Sequence, residues 1–300
     1  MNNNAHAAIG LFDSGIGGLT VANAILEQLP NESLIYFGDT AHLPYGDKSA
    51  DTIQYYTKTI GSFLLSKECK IIVIACNTAS SVAYDLLKNM AGDKAYVFNV
   101  IDAVVEEIIK QQYKKVGVIG TLGTINSNAY KTRILAKNNS IHVHQLATPL
   151  LAPMIESGFV SGQISNAVVE EYLNAPELQD IETLILACTH YPLIKKEIEA
   201  FYTAKNRKVE VLATNEIVAI QIRKFMIENG LVNYMKKSKN SFYVSDYTES
   251  FAKTTQLFFK ESVDLIYLPC FNFKNSLLYS NKNLYIKTLN KHYYNAHRFL

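Results

Sequence analysis

The 300-residue chain has no tryptophan, four cysteines, seven prolines and no apolar run longer than about six residues. A membrane-spanning helix needs roughly 18 consecutive apolar residues, so no such span is expected. Cys69, Cys76, Cys188 and Cys270 lie far apart without a C-x-x-C pair. That is too sparse for a disulfide scaffold and predicts reduced thiols. Neither sign of charge dominates: 29 basic residues face 27 acidic ones. No general field exists to gather nucleic acid or an anionic membrane, and neither partner is expected. The Asn-rich start, Met1 to Ala8, has neither a basic segment nor an apolar core of the secretory kind. A cytoplasmic location is the expectation. The Gly-Lys-Ser/Thr step of a P-loop is also missing.

What is present is ordinary globular composition, 48% apolar and 19% charged, at a length suited to about two domains. Short β-branched runs recur at Ala8 to Phe12, Leu34 to Phe37, Ile71 to Ala75, Val116 to Ile119, Thr183 to Ala187 and Val209 to Leu212. Helical spacing follows most of them, as in Ile16, Leu19, Ala22, Ile25, Leu26 and Leu29. Strands buried on both faces and alternating with helices predict an α/β protein with mostly parallel sheets. The strand ending Ala75-Cys76-Asn77-Thr78 resembles the one ending Ala187-Cys188-Thr189-His190, about 110 positions later. Ile9 to Ser14 and Val116 to Thr121 echo each other at a similar shift. The expectation is therefore two pseudo-symmetric α/β domains with an active site in the cleft between them. The first would comprise residues 1–98 plus 213–277, the second 99–212, and the polar, tyrosine-rich stretch 278–300 an appendage.

Parallel sheets carry their chemistry at the carboxyl ends of their strands, where Cys76 and Cys188 both fall. A single cysteine there is most simply a small core hydrophobe, the reading given to Cys69 and Cys270. Two in matching contexts, each followed by polar residues, point instead to thiols that meet across one cleft. The residues alone leave open a disulfide, a zinc site lacking evident further ligands, or proton transfer on both faces of one carbon. Thr78 and Thr189 stand where helix caps are expected, and free backbone amides beyond them suit an anionic ligand. Asp13-Ser14-Gly15-Ile16-Gly17-Gly18 departs from a dinucleotide fingerprint at Thr20 and carries an acidic Asp13, so glycines admitting a small substrate fit it better. His142 and His144 lack ligand companions and read as surface residues. Tyr45 reads equally as a turn residue or a substrate contact.

Taken together, Phe12 to Gly18, Tyr36 to Asp39, Pro44-Tyr45-Gly46, Ala75 to Ala79, Gly120-Thr121 with Thr124-Ile125, Pro153 to Glu156 and Cys188 to Pro192 resemble the glutamate racemases of the aspartate/glutamate racemase superfamily. The resemblance implies interconversion of L- and D-glutamate without pyridoxal phosphate, metal or other cofactor, supplying D-glutamate for peptidoglycan. It gives Cys76 and Cys188 the places of the acid/base thiols, with Asp13 assisting the first and His190 the second, and Glu156 the place of a carboxylate near the site. Substrate-binding places fall to Asp13, Ser14, Tyr45, Gly46, Asn77, Thr78, Thr189 and His190. Ala187 stands where many members have glycine, and Ala213 where an aspartate is common. A homodimer is left open. So are a sister racemase of aspartate or another small acid, a non-catalytic glutamate-binding protein, and a nicotinamide oxidoreductase.

Overall fold

The computed structural model describes residues 4–235, 239–259 and 263–269. The stretch 278–300, anticipated as an appendage, and Cys270 lie outside them.

Among the described residues, strands β1 (Ile9–Asp13), β2 (Leu34–Gly38), β3 (Ile71–Ile74) and β4 (Tyr96–Asn99) alternate with helices α1 (Leu19–Gln28), α2 (Ala50–Ser66) and α3 (Asn77–Ala91). Helix α4 (Val100–Gln111) leads into a second series: β5 (Lys115–Gly120), α5 (Leu122–Asn126), α6 (Ala129–Lys137), β6 (His142–Ala147), α7 (Leu151–Glu156), α8 (Gln163–Leu173), β7 (Thr183–Ala187), α9 (Lys195–Ala204) and β8 (Glu210–Ala213). After α10 (Thr214–Glu228) come β9 (Ser241–Val244), α11 (Glu249–Phe258) and β10 (Leu265–Tyr267).

Two parallel sheets result. The six-stranded sheet runs β10-β9-β2-β1-β3-β4 and the four-stranded one β6-β5-β7-β8. The first four strands of the chain in the first sheet, β2-β1-β3-β4, and the four of the second share one order, each repeating the pattern second, first, third, fourth. The chain leaves the first sheet after β4, completes the second, and returns through α10, which packs against α1 and α4, to add β9 and β10 at the first sheet's edge.

Burial follows this order. Every residue of β1, β3 and β7 is buried, which explains why their β-branched runs stand out in the sequence. Each fully buried Leu or Ile contributes roughly 1.5–3 kcal/mol of hydrophobic stabilisation. Edge strand β6 exposes His142 and half-buries His144, in keeping with their reading as surface residues. The edge strand β4 escapes the sequence pattern because all but its last residue are only half-buried. Its last residue, Asn99, caps α4 by accepting from the backbone N–H groups of Ile101 and Asp102.

At the amino end of the first sheet, the Lys70 ammonium is fully buried and donates to Glu32 Oε2 (2.6 Å) and to the carbonyls of Ala5 and Leu231. Glu32 Oε1 accepts from the Asn233 N–H at 2.7 Å. Four separate chain segments are thus tied together far from the carboxyl ends of the strands.

Candidate active site

Those carboxyl ends meet. Ser14, Tyr45, Gly46, Cys76, Asn77, Thr78, Glu156, Cys188, Thr189 and His190 line one cavity of about 190 Å³. Sites for drug-sized ligands run to roughly 300–1,000 Å³, so this one suits a molecule the size of an amino acid. Gly15, Leu43, Pro44, Thr121, Ala152, Pro153 and Ala187 complete the wall. Gly15, Pro44, Thr121 and Pro153 sit inside motifs visible in the sequence. Leu43 and Ala152 carry no signal of their own there.

Cys76 follows β3 and is itself the N-cap of α3, its Sγ accepting from the Ala79 N–H at 3.4 Å. The thiol also donates to Ser14 Oγ at 3.7 Å. Burial, reinforced by the Asp13 charge, pushes it up to about 12, against the pull of the Ala79 and Ser14 hydrogen bonds. Cys188 follows β7, its Sγ 3.6 Å from His190 Nδ1, and His190 Nε2 lies 2.8 Å from Glu156 Oε1. Burial alone pulls the imidazole down, but its hydrogen bonds to Cys188 and Glu156 outweigh that and raise it to about 10. Cys69 differs from both. It lies outside the cavity under Gly10, and burial raises its thiol to about 12.

Three sequence expectations are corrected. Asp13 is not on the cavity wall: it is fully buried one layer behind, its carboxylate accepting from the Gly15 N–H (3.1 Å) and the Thr189 hydroxyl (3.4 Å). Burial raises its carboxyl above the usual range, opposed by the charge of His190. Thr78 and Thr189 are not caps. Cys76 caps α3, Thr78 Oγ1 instead meets Thr121 Oγ1 (2.9 Å) and Thr124 Oγ1 (3.1 Å), and Thr189 precedes a short 3-10 turn, Tyr191–Ile194. Gly17 serves close packing rather than substrate access, since a Cβ there would lie 2.4 Å from His190 Cε1 and 2.5 Å from Thr189 Oγ1.

Tyr45 is held from behind: its hydroxyl donates to Asp39 Oδ2 at 2.6 Å, while Ser245 and His42 engage Asp39 Oδ1. The first two N–H groups of α3 belong to Asn77 and Thr78, which both line the cavity, and have no carbonyl partner within the helix. Among the described residues, no cluster of three or more His, Cys, Asp and Glu side chains is arranged to hold a metal ion.

The sequence pattern of the Asp/Glu/Hydantoin racemase family matches residues 9–222. The chain belongs to that family. Glutamate racemase of Chlorobaculum parvum is 39% identical over 252 residues, covering 83% of this chain and 91% of that protein. In structure, this racemase-family chain is similar to glutamate racemase from Francisella tularensis, solved in complex with D-glutamate (TM-score 0.82, 39% identity, 89% of this chain and 99% of that one). It is likewise similar to glutamate racemase isoform RacE1 from Bacillus anthracis, with a TM-score of 0.82 and 32% identity over 89% of this chain and 99% of that one.

Proposed function

We propose that the protein interconverts L- and D-glutamate by a two-base mechanism needing no cofactor, with Cys76 and Cys188 as the acid/base pair. The observation that carries this reading is that the two sulfurs, each following the corresponding strand of its sheet, line one cavity of amino-acid size. One thiolate takes the α-proton, the carbanion's charge is held by backbone amides and hydroxyls around the carboxylate, and the opposite thiol donates its proton to the other face. Each turnover leaves the two sulfurs with exchanged protonation states, so a second proton transfer must restore them before the same enantiomer reacts again. Asp13 behind Cys76 and His190 beside Cys188 supply the nearest proton-carrying groups. Ser14, Tyr45, Gly46, Asn77, Thr78 and Thr189 bind the substrate, and Glu156 sets the state of His190. The physiological role we attach to this activity is the supply of D-glutamate for peptidoglycan in the cytoplasm.

The decisive test is racemisation of L-glutamate in heavy water without additives, stopped at low conversion, with both enantiomers separated and weighed. D-glutamate carrying one deuterium beside largely unlabelled L-glutamate is the expected result. Unlabelled product, or substrate labelled as fast as product, rejects the paired-thiol mechanism.

A further inference from the structure

Asn77 lines the cavity, yet only half of its amide is engaged. Its Oδ1 accepts from the Tyr130 hydroxyl at 2.6 Å, whereas Nδ2 is buried without a hydrogen-bond partner among the described residues. A buried amide N–H left unpaired costs about 1–3 kcal/mol, a penalty that a ligand carboxylate in the cavity would remove. Tyr130 belongs to α6 in the second series of elements and is 1% exposed, outside the cavity wall.

We infer that Tyr130 is a positioning residue for the substrate carboxylate: its hydroxyl, reaching across from the second unit, fixes the Asn77 amide with Nδ2 towards the substrate. The inference rests on the racemase reading above. A phenol has one hydrogen, and the oxygen of Asn77 takes it. Burial holds the phenol far above its ordinary range, so it remains a donor at any working pH. The amide cannot turn over without taking from the buried Tyr130 O–H its one acceptor among the described residues and presenting an oxygen to an anionic ligand. Asn77 stands at the first position of α3, next to Cys76, so a carboxylate held by its amide lies beside the reacting sulfur.

The test is a cycle of wild type, Tyr130→Phe, Asn77→Ala and the double variant, with glutamate racemisation and L-glutamate binding by calorimetry measured on each. Tyr130→Phe should raise KM and Kd about three- to tenfold, the loss of one hydrogen-bonded orientation, with kcat within about twofold. In the Asn77→Ala background it should add less than about twofold, because its route to the substrate is gone. Equal effects in both backgrounds, or an unchanged Kd in Tyr130→Phe, overturn the inference. Asn77→Asp keeps the acceptor for Tyr130 and replaces Nδ2 by oxygen. It should raise Kd more than about tenfold, and an ordinary Kd there would also overturn the inference. If the wild type binds glutamate without turning it over, the racemase reading fails while the binding cycle still decides the role of Tyr130. If it does neither, both fall.

Discussion

Asp13 and His190 give the two sulfurs opposite electrostatic surroundings. Cys76 faces an anion that helps hold its proton in place, whereas Cys188 faces an imidazole raised to about 10 by its two hydrogen bonds. Because that value lies above the ordinary 6.5, the stabilisation is fully present below about pH 6.5 and is lost as pH rises through about 10. Glu156→Gln removes one of the two partners, and Glu156 is partly solvent-screened, so the effect is modest. The variant should melt about 2–4 °C below wild type at pH 6, with the gap closing as pH approaches 10. Thermal unfolding of both proteins across that range checks this, and a gap that widens with pH refutes it. The cysteines, His190 and Glu156 were legible because each lies in a short motif at the end of a strand or helix. Tyr130 was not: it is 53 positions from Asn77, and its hydroxyl has meaning only after the two units face each other.

Helix α3 begins with a functional side chain doing a structural task. A cysteine cap is weak because sulfur accepts hydrogen bonds poorly, and serine is among the strongest N-caps. Cys76→Ser should therefore abolish racemisation while keeping the wild-type unfolding free energy. Cys76→Ala should also be inactive but about 0.5–1 kcal/mol less stable than the serine variant. Denaturant unfolding separates the two, and equal stabilities would show that the 3.4 Å contact to Ala79 does not cap the helix. The same detail explains a misreading of the sequence. Thr78 has the chemistry of a cap, but the helix opens at Asn77, two residues before a Thr78 cap would start it, so the cysteine occupies the cap and the threonine is freed to meet Thr121. Six of the buried and half-buried strands announce themselves by β-branched runs. The edge strands β4 and β6 do not, because a strand half in solvent has no need of a continuous apolar run.

At the scale of the molecule, the repeated strand order brings two equivalent strand ends into opposition, and glycines allow them to close. A Cβ at Gly46 would lie 2.9 Å from Thr121 Cβ, one at Gly123 would lie 2.9 Å from the Gly46 carbonyl, and Gly17 abuts His190 and Thr189. The Thr20 hydroxyl donates to the Thr189 carbonyl at 2.9 Å, so the start of α1, with the loop before it, and the turn after β7 form one packed seam. The duplication that foretold two facing units was visible in the sequence, but the seam was not, since its contacts join residues about 170 positions apart. Gly17→Ala tests it. The added methyl meets a buried imidazole that cannot swing away without leaving Cys188 and Glu156, so His190 and Thr189 must be displaced together. Overpacking of this kind costs typically 1–3 kcal/mol, within reach of a folded protein, whereas a displacement near 1 Å at a proton-transfer site costs up to about a hundredfold in rate. We expect a folded variant whose kcat falls at least tenfold, with a melting temperature lowered by only a few degrees. Turnover close to wild type in that variant would show that the seam tolerates opening and that the placement of His190 does not govern the reaction.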